Sequence, residues 1–341
     1  MVLQMPGLYG PRQPLPMRVL PLPGESTGSF VNRLAHANGL GLADFLQRVG
    51  QGTGSSSQDA ARVAKYPQCT EMYVNGPGLE YLAMLAGEPA AVLRRVLPGL
   101  APRHRLPGEG DAVWKWPWLP PEGHLVRCCT RCAEARGVRE PAWWLTPNSW
   151  RVCARHSRWC DDSRTEPLDG LSLTELPEVV EAHLERGRLQ RQFGRSGEEL
   201  FADAFQVAAE WWRTMPTVLR WVHRAWACDL EDRSARVMPL VIYPEAARLA
   251  RLMVEFERSD LRDADARTRW LGEAGALMVS WEVDVRAGQG PLLDWLHRHR
   301  LPAGPEEQPA ARSRQGRLPL APGHRRLASP TGPLEQRSCL S

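Results

Sequence analysis

Residues 21–46 read PLPGESTGSFVNRLAHANGLGLADFL and contain the pattern that begins the fold. Three hydroxyl residues in this stretch can cap the start of a helix: Ser26, Thr27 and Ser29. Apolar residues then recur at three-to-four spacing until Asn38 and Gly39, a pair that tolerates the left-handed conformation at a helix end. A second short amphipathic helix is predicted at residues 42–49, followed by a flexible break at residues 50–57.

Length and composition exclude several classes of protein. The chain has 341 residues, 43% of them apolar and 24% charged, which is enough to bury a substantial core and excludes a disordered chain. No run approaches the ~18 apolar residues that a membrane helix needs. The Pro-rich N-terminus lacks the apolar region of a secretion signal, so a cytoplasmic location is expected. Eight cysteines in a cytoplasmic chain favour metal binding over disulfides.

Positive charge is concentrated in two segments. Residues 127–164 contain eight arginines against four acids, and residues 301–341 contain six arginines against three glutamates. The remaining chain is therefore slightly acidic, because the net charge is only +4. A basic segment and a basic tail indicate a polyanionic partner.

A second pair of helices is predicted between residues 79 and 97. Gly87 suits the position just after a helix, and Pro89 suits the first turn of the next. Two short helices joined by a tight turn outline a helix-turn-helix, although an ordinary helical hairpin has the same pattern. Arg94 and Arg95 lie where a recognition helix would contact DNA; the alternative is that they are solvated surface charges.

The chain is predicted to be mainly α, with a small zinc ribbon between two helical regions. The helical character returns between residues 170 and 300. We expect residues 101–124 to form an extended linker that packs through its tryptophans. The predicted regions are a disordered lead-in (1–17), an N-terminal helical domain with the linker (18–124), the ribbon (125–165), a C-terminal helical domain (166–300) and a disordered basic tail (301–341).

The strongest chemical signal is a pair of metal-ligand spacings, CTRC followed by CARH. Cys129 and Cys132, with Cys153 and His156, can close a tetrahedron around a structural Zn²⁺ with no open position. The alternatives are a redox Cys-x-x-Cys pair, for which the strand-to-helix context is missing, and a surface role for His156. Three further side chains are weaker substitutes as ligands: His124, Cys128 and Cys160.

Motifs for catalysis are missing from the sequence. It contains no Walker loop, no GxGxxG, no HExxH and no Gly-x-Ser-x-Gly elbow. We therefore predict a protein that is not an enzyme.

Three segments in order resemble the TniQ family. They are the PLPGES opening with its helix, the AMLAGEPAAVLRRVL hairpin, and the stretch from RCCTRC to VCARHSRW that resembles the zinc ribbon of the family. Together they cover about residues 18–165. Cys129, Cys132, Cys153 and His156 match the ligand positions of the family. Three tryptophans fall where those of the ribbon lie: Trp143, Trp144 and Trp150.

The resemblance implies a role in selecting targets for DNA transposition. TniQ proteins and their longer relative TnsD act as adaptors that recognise a target, directly or through a CRISPR effector complex, and recruit an AAA+ ATPase. The expected partners are thus double-stranded DNA and that ATPase, with a CRISPR effector complex and a homodimer left open.

The sequence departs from the family at one point. Many relatives have a second cysteine pair after the histidine, whereas Cys160 is followed by Asp161 and Asp162. A stand-alone zinc-containing transcriptional regulator with the same helix-turn-helix is the alternative function.

Overall fold

A computed structural model describes most of the chain. The described residues are 10–53, 70–116, 123–162, 170–215, 217–231, 236–258 and 264–300. The predicted basic tail, the first nine residues of the predicted lead-in and the second half of the predicted break at residues 50–57 lie outside them.

The described residues divide into two compact units. The first contains residues 10–151, 160–162 and 170, and the second contains residues 152–159 and 171–300. The predicted domain boundaries after residues 124 and 165 do not coincide with this division. Helices dominate the described part of the chain, which confirms the mainly α fold class.

The first unit begins with four helices. They are α1 (Thr27–Ala37), α2 (Leu42–Val49), α3 (Gly76–Ala86) and α4 (Ala90–Val96), and two 3₁₀ turns follow at Pro98–Leu100 and Pro102–His104. Seven strands lie among the described residues up to 161, and they are β1 (Gln51–Gly52), β2 (Tyr73–Val74), β3 (Val113–Lys115), β4 (His124–Arg127), β5 (Trp143–Thr146), β6 (Trp150–Cys153) and β7 (Arg158–Asp161). A short helix, α5 (Thr130–Glu134), lies between β4 and β5.

Helix α1 starts and ends where the sequence predicts. The hydroxyl of Ser26 accepts a hydrogen bond from the amide of Ser29, so Ser26 is the N-cap among the three candidates. Asn38 is the C-cap, and Gly39 follows with a φ of +65°. Gly28 allows the helix to approach Thr70 closely, because a Cβ at Gly28 would lie 2.1 Å from the Thr70 carbonyl oxygen.

A buried ion pair fixes the segment that precedes α1. Glu25 is fully buried and accepts hydrogen bonds from Arg33 at 2.8 Å and 2.7 Å. The same carboxylate accepts bonds from the Leu22 amide and the Ser29 hydroxyl. The two charges neutralise each other, and both side chains make further hydrogen bonds, which is the condition under which a buried ion pair is tolerated.

The predicted lead-in at residues 1–17 is partly wrong, since residues 10–17 are ordered. The Asn38 side chain donates to the Met17 carbonyl and accepts from the Met17 amide, both at 2.9 Å. Leu15 packs against the core, and its amide donates to the Leu85 carbonyl. A side chain at the end of α1 thus holds a segment that composition alone suggested to be unstructured.

The predicted helical hairpin is present. Gly87 ends α3 in the left-handed conformation with a φ of +65°, and Pro89 is the N-cap of α4. Leu93 is the buried residue of α4, whereas Arg94 and Arg95 are exposed in its last turn.

The predicted linker contains a strand of a sheet. Strand β3 pairs in parallel with β1 and antiparallel with β2, giving the order β1-β3-β2. Trp114 and Trp116 are buried in the helical core, as expected for a segment that packs through its tryptophans. The linker interpretation is therefore wrong for residues 113–116, because their backbone hydrogen bonds belong to the sheet.

The described part of the second unit is mostly helical; it also contains the end of β6, the start of β7, and β8 (Leu171–Ser172), which pairs antiparallel with β7. Its helices are α6 (Pro177–Phe193), α7 (Arg195–Thr214), α8 (Leu219–Trp226), α9 (Met238–Val241), α10 (Tyr243–Arg258), α11 (Ala264–Ser280) and α12 (Val285–Arg300). Tyr243 lies at its centre, in edge contact with Phe201 and Trp159. Glu245 is buried and pairs with Arg220 and Arg224.

Among the described residues, no helix combines the length and apolar character needed to cross a membrane.

Glu71 places a second carboxyl group in the interior of the first unit. One of its oxygens accepts hydrogen bonds from the Thr27 and Met72 amides, both at 2.8 Å, so Glu71 caps the start of α1. Burial raises the pKa of Glu71 to about 7, and these amide bonds offset only part of that effect. The folded state therefore binds a proton that the unfolded state releases at lower pH.

We expect Glu71 to make the first unit less stable as pH rises through about 7. The stability that Glu71 contributes through its raised pKa is fully present below pH 4.5, the ordinary carboxyl pKa, and is lost as pH rises through about 7. The free energy of unfolding should fall by up to about 3 kcal/mol over this range. Glu71→Gln should flatten this part of the pH profile in urea unfolding between pH 5 and 8. Glu80→Gln, at an exposed carboxylate on α3, is the matched control, and identical profiles for the two variants would contradict the assignment.

Candidate metal centre

The first cysteine pair lies at the start of helix α5. Cys129 is its N-cap residue, and the Cys129 carbonyl accepts hydrogen bonds from the amides of Cys132 and Ala133 at 3.0 Å. One helical turn therefore brings the two thiols to the same side. Strand β4, which leads to this turn, pairs antiparallel with β5 over four residues.

The second pair lies in the turn between β6 and β7. Cys153 is the last residue of β6, and the His156 amide donates to the Cys153 carbonyl at 3.3 Å. Ser157 follows with a φ of +47°, which lets the chain reverse direction. The Cys153 Sγ lies 3.6 Å from the His156 Nδ1.

The ligand atoms of the four predicted residues lie within 4.8 Å of one another. Bond lengths of ~2.3 Å to sulfur and ~2.0 Å to nitrogen give a tetrahedral S–N edge of about 3.5 Å, close to the 3.6 Å observed for Cys153 and His156. Three thiolates and one imidazole are a donor set typical of structural metal sites. The cluster can therefore hold a metal ion in a site closed to substrate.

The weaker substitutes are not part of this cluster. Cys128 is buried among apolar side chains with Leu22 and Trp144, and burial raises the pKa of its thiol above the usual range. Cys160 is buried in β7, and His124 lies at the start of β4. Among the six cysteines that the structure describes, no two form a disulfide.

The tryptophans of this region are core residues. Trp143, Trp144 and Trp150 are all buried. Trp226 on α8 is different, because 63% of it is exposed. The indole rings of the three buried tryptophans lie in the interior because each ring removes a large apolar area from water.

Two arginines contact these rings, and the sequence analysis did not single them out. The Arg151 guanidinium lies 4.1 Å from the centre of the Trp144 ring, and that of Arg127 lies 5.4 Å from the Trp143 ring. Arg127 is itself buried. The positive charge of the segment thus partly serves cation–π packing rather than an exposed surface. No local sequence signal indicates these contacts, because each arginine is distant in sequence from its ring.

Arg94 and Arg95, the predicted DNA contacts, lie in α4 and are not part of the metal centre. Both are exposed.

The fold and the cluster together define a mainly helical protein with a Cys₃His centre of the structural type. The family model TniQ matches residues 16–159, which include helices α1 to α4 and all four cluster residues. This part of the chain is a TniQ domain, as its resemblance indicated, and a TniQ domain implies a function associated with transposition. No curated protein and no solved structure matches the chain significantly.

We expect purified protein to retain about one metal ion per chain through these four side chains. Cys129→Ser should lose most of the metal, because a neutral hydroxyl is a poor replacement for a thiolate. The adjacent Cys128→Ser is the matched control and should keep it. Elemental analysis of both variants measures the difference. Equal metal content in the two proteins would contradict the assignment of Cys129.

Proposed function

We propose that this protein is a non-enzymatic adaptor that selects targets for DNA transposition. The observation that carries this proposal is the TniQ match over residues 16–159. The adaptor binds double-stranded DNA through its first unit and recruits an AAA+ ATPase. A CRISPR effector complex is the other route by which a target would be recognised.

Support for DNA binding comes from the helical hairpin. Helix α4 follows α3 after a tight turn, as the second helix of a helix-turn-helix does, and it presents Arg94 and Arg95 to solvent. Guanidinium groups bind phosphate oxygens and base edges in the major groove. We therefore assign these two arginines to the DNA contact.

We propose that the metal is Zn²⁺ and that its role is structural. Zn²⁺ accepts three thiolates and one imidazole in tetrahedral geometry, and four protein ligands leave no position for substrate. When bound, Zn²⁺ would cross-link α5 to the turn after β6, and it would supply no reaction chemistry. A chelator is expected to unfold this region before the helices.

Support for a protein partner comes from the surface of α8. Trp226 is 63% exposed, and tryptophan is enriched at interface hot spots. Leu219 on the same helix is 59% exposed and adds apolar surface. We propose that the ATPase is the partner. The adaptor would bind it either as a monomer or as a homodimer.

A stand-alone transcriptional regulator is the second candidate, because the α3–α4 hairpin suits it equally. The two functions differ in their partner. An adaptor associates with an ATPase encoded beside it, whereas a regulator represses a neighbouring promoter without one.

Duplex DNA binding by the full chain should weaken steeply with salt, because each neutralised phosphate releases counterions. Arg94→Ala with Arg95→Ala should make the negative slope of log K against log salt less steep by about 1.8 if each arginine contacts one phosphate. The matched control is Arg188→Ala with Arg195→Ala, which removes two exposed arginines of the second unit.

A pull-down with the neighbouring ATPase, with and without DNA, tests the adaptor function. Association supports it. Lack of association in both conditions, together with specific repression of a neighbouring promoter, would contradict the adaptor and support the regulator.

A further inference from the structure

The exposed arginines of this protein differ in their ion pairing. In the second unit, for example, Arg188, Arg195 and Arg213 each pair with a glutamate three or four residues away in the same helix. Among the exposed arginines of the first unit that make no ion pair with any described residue are Arg94, Arg95, Arg103 and Arg105. Unpaired guanidinium groups remain available to an external anion.

These four arginines belong to one short segment. Residues 90–109 contain them and a single acid, Glu109, for a net charge of +3. The segment consists of α4 and the two 3₁₀ turns that follow it. Its positive charge is therefore concentrated over twenty residues rather than spread across the unit.

The fold brings two of the arginines to one cleft. Arg94, from α4, and Arg105, from the end of the second 3₁₀ turn, line a cleft of about 580 Å³. Its floor includes Leu79 and Leu106, and Gly76 contributes the start of α3. The N-terminal end of a helix adds positive potential. Arg94 lies on the predicted recognition helix, whereas sequence reasoning gave Arg105 no role.

Two carboxylates, Glu80 and Glu109, also line the cleft. They reduce its positive potential and would repel an approaching phosphate. An acidic ligand is nonetheless favoured, because Arg95 and Arg103 add two further unpaired charges on the same segment. The Arg103 Nε donates to the His104 Nε2 at 2.9 Å, which orients that side chain.

We propose that Arg105, together with Arg94, binds the phosphate backbone of duplex DNA at this cleft, and that Glu109 weakens the contact. The inference rests on the proposed DNA-binding function and extends it beyond α4. Arg105 positions the duplex without reading its sequence, since backbone contacts carry no direct base information. Guanidinium geometry suits the purpose, because its planar fork matches two phosphate oxygens.

The test measures duplex binding by the full chain over a range of salt concentrations, on two unrelated sequences. Arg105→Ala should make the negative slope of log K against log salt less steep by about 0.9. It should weaken binding to both sequences by the same factor. Glu109→Gln should tighten binding at low salt, and this gain should shrink as salt screens the charge. Arg195→Ala, in the second unit, is the matched control and should leave the slope unchanged.

The outcomes separate this inference from the function on which it rests. A lowered slope for Arg105→Ala and tighter binding for Glu109→Gln support it. Salt-dependent binding by the unaltered chain, with Arg105→Ala behaving like Arg195→Ala, would overturn the inference and leave the proposed function standing. Failure of the unaltered chain to bind any duplex would overturn both.

Discussion

The buried ion pair between Glu25 and Arg33 is the interaction on which the first unit depends. The two side chains are 0% and 2% exposed, so neither charge can turn to water. Removing one partner would leave the other charge buried and uncompensated, at a cost of about 3–5 kcal/mol. The pair joins the extended segment before α1 to the second turn of that helix, and it fixes the angle at which the chain enters the helical core.

The same segment also holds strand β5. The Ser26 amide donates to the Trp143 carbonyl, the Leu145 amide donates to the Gly24 carbonyl, and the Trp143 amide donates to the Ser29 hydroxyl. Strand β5 in turn pairs with β4, which leads directly to Cys129. The position of the first cysteine pair thus depends on a stretch of chain more than a hundred residues earlier. The proposed metal would further stabilise the turn that carries this pair.

Local signals were sufficient to predict helices α1 to α4 and the four residues of the Cys and His cluster. Caps, a glycine turn and Cys-x-x-Cys spacing act over a few residues, and the sequence displays them directly. The Glu25–Arg33 pair could not be predicted, because its spacing of eight residues is not a helical contact. Strand β3 was missed since three residues give no periodicity, and the burial of Glu71 depends on groups far along the chain.

Hydrogen exchange at individual amides tests the central claim that the Glu25–Arg33 pair positions both α1 and β5. In Arg33→Met, the amides of Ser26 and Leu145 should lose protection together, because their acceptors lie on the segment that the pair holds or on its partner strand. Arg48→Met, at an exposed arginine of α2, should leave both protected. Loss of protection at Ser26 while Leu145 stays protected would contradict the account.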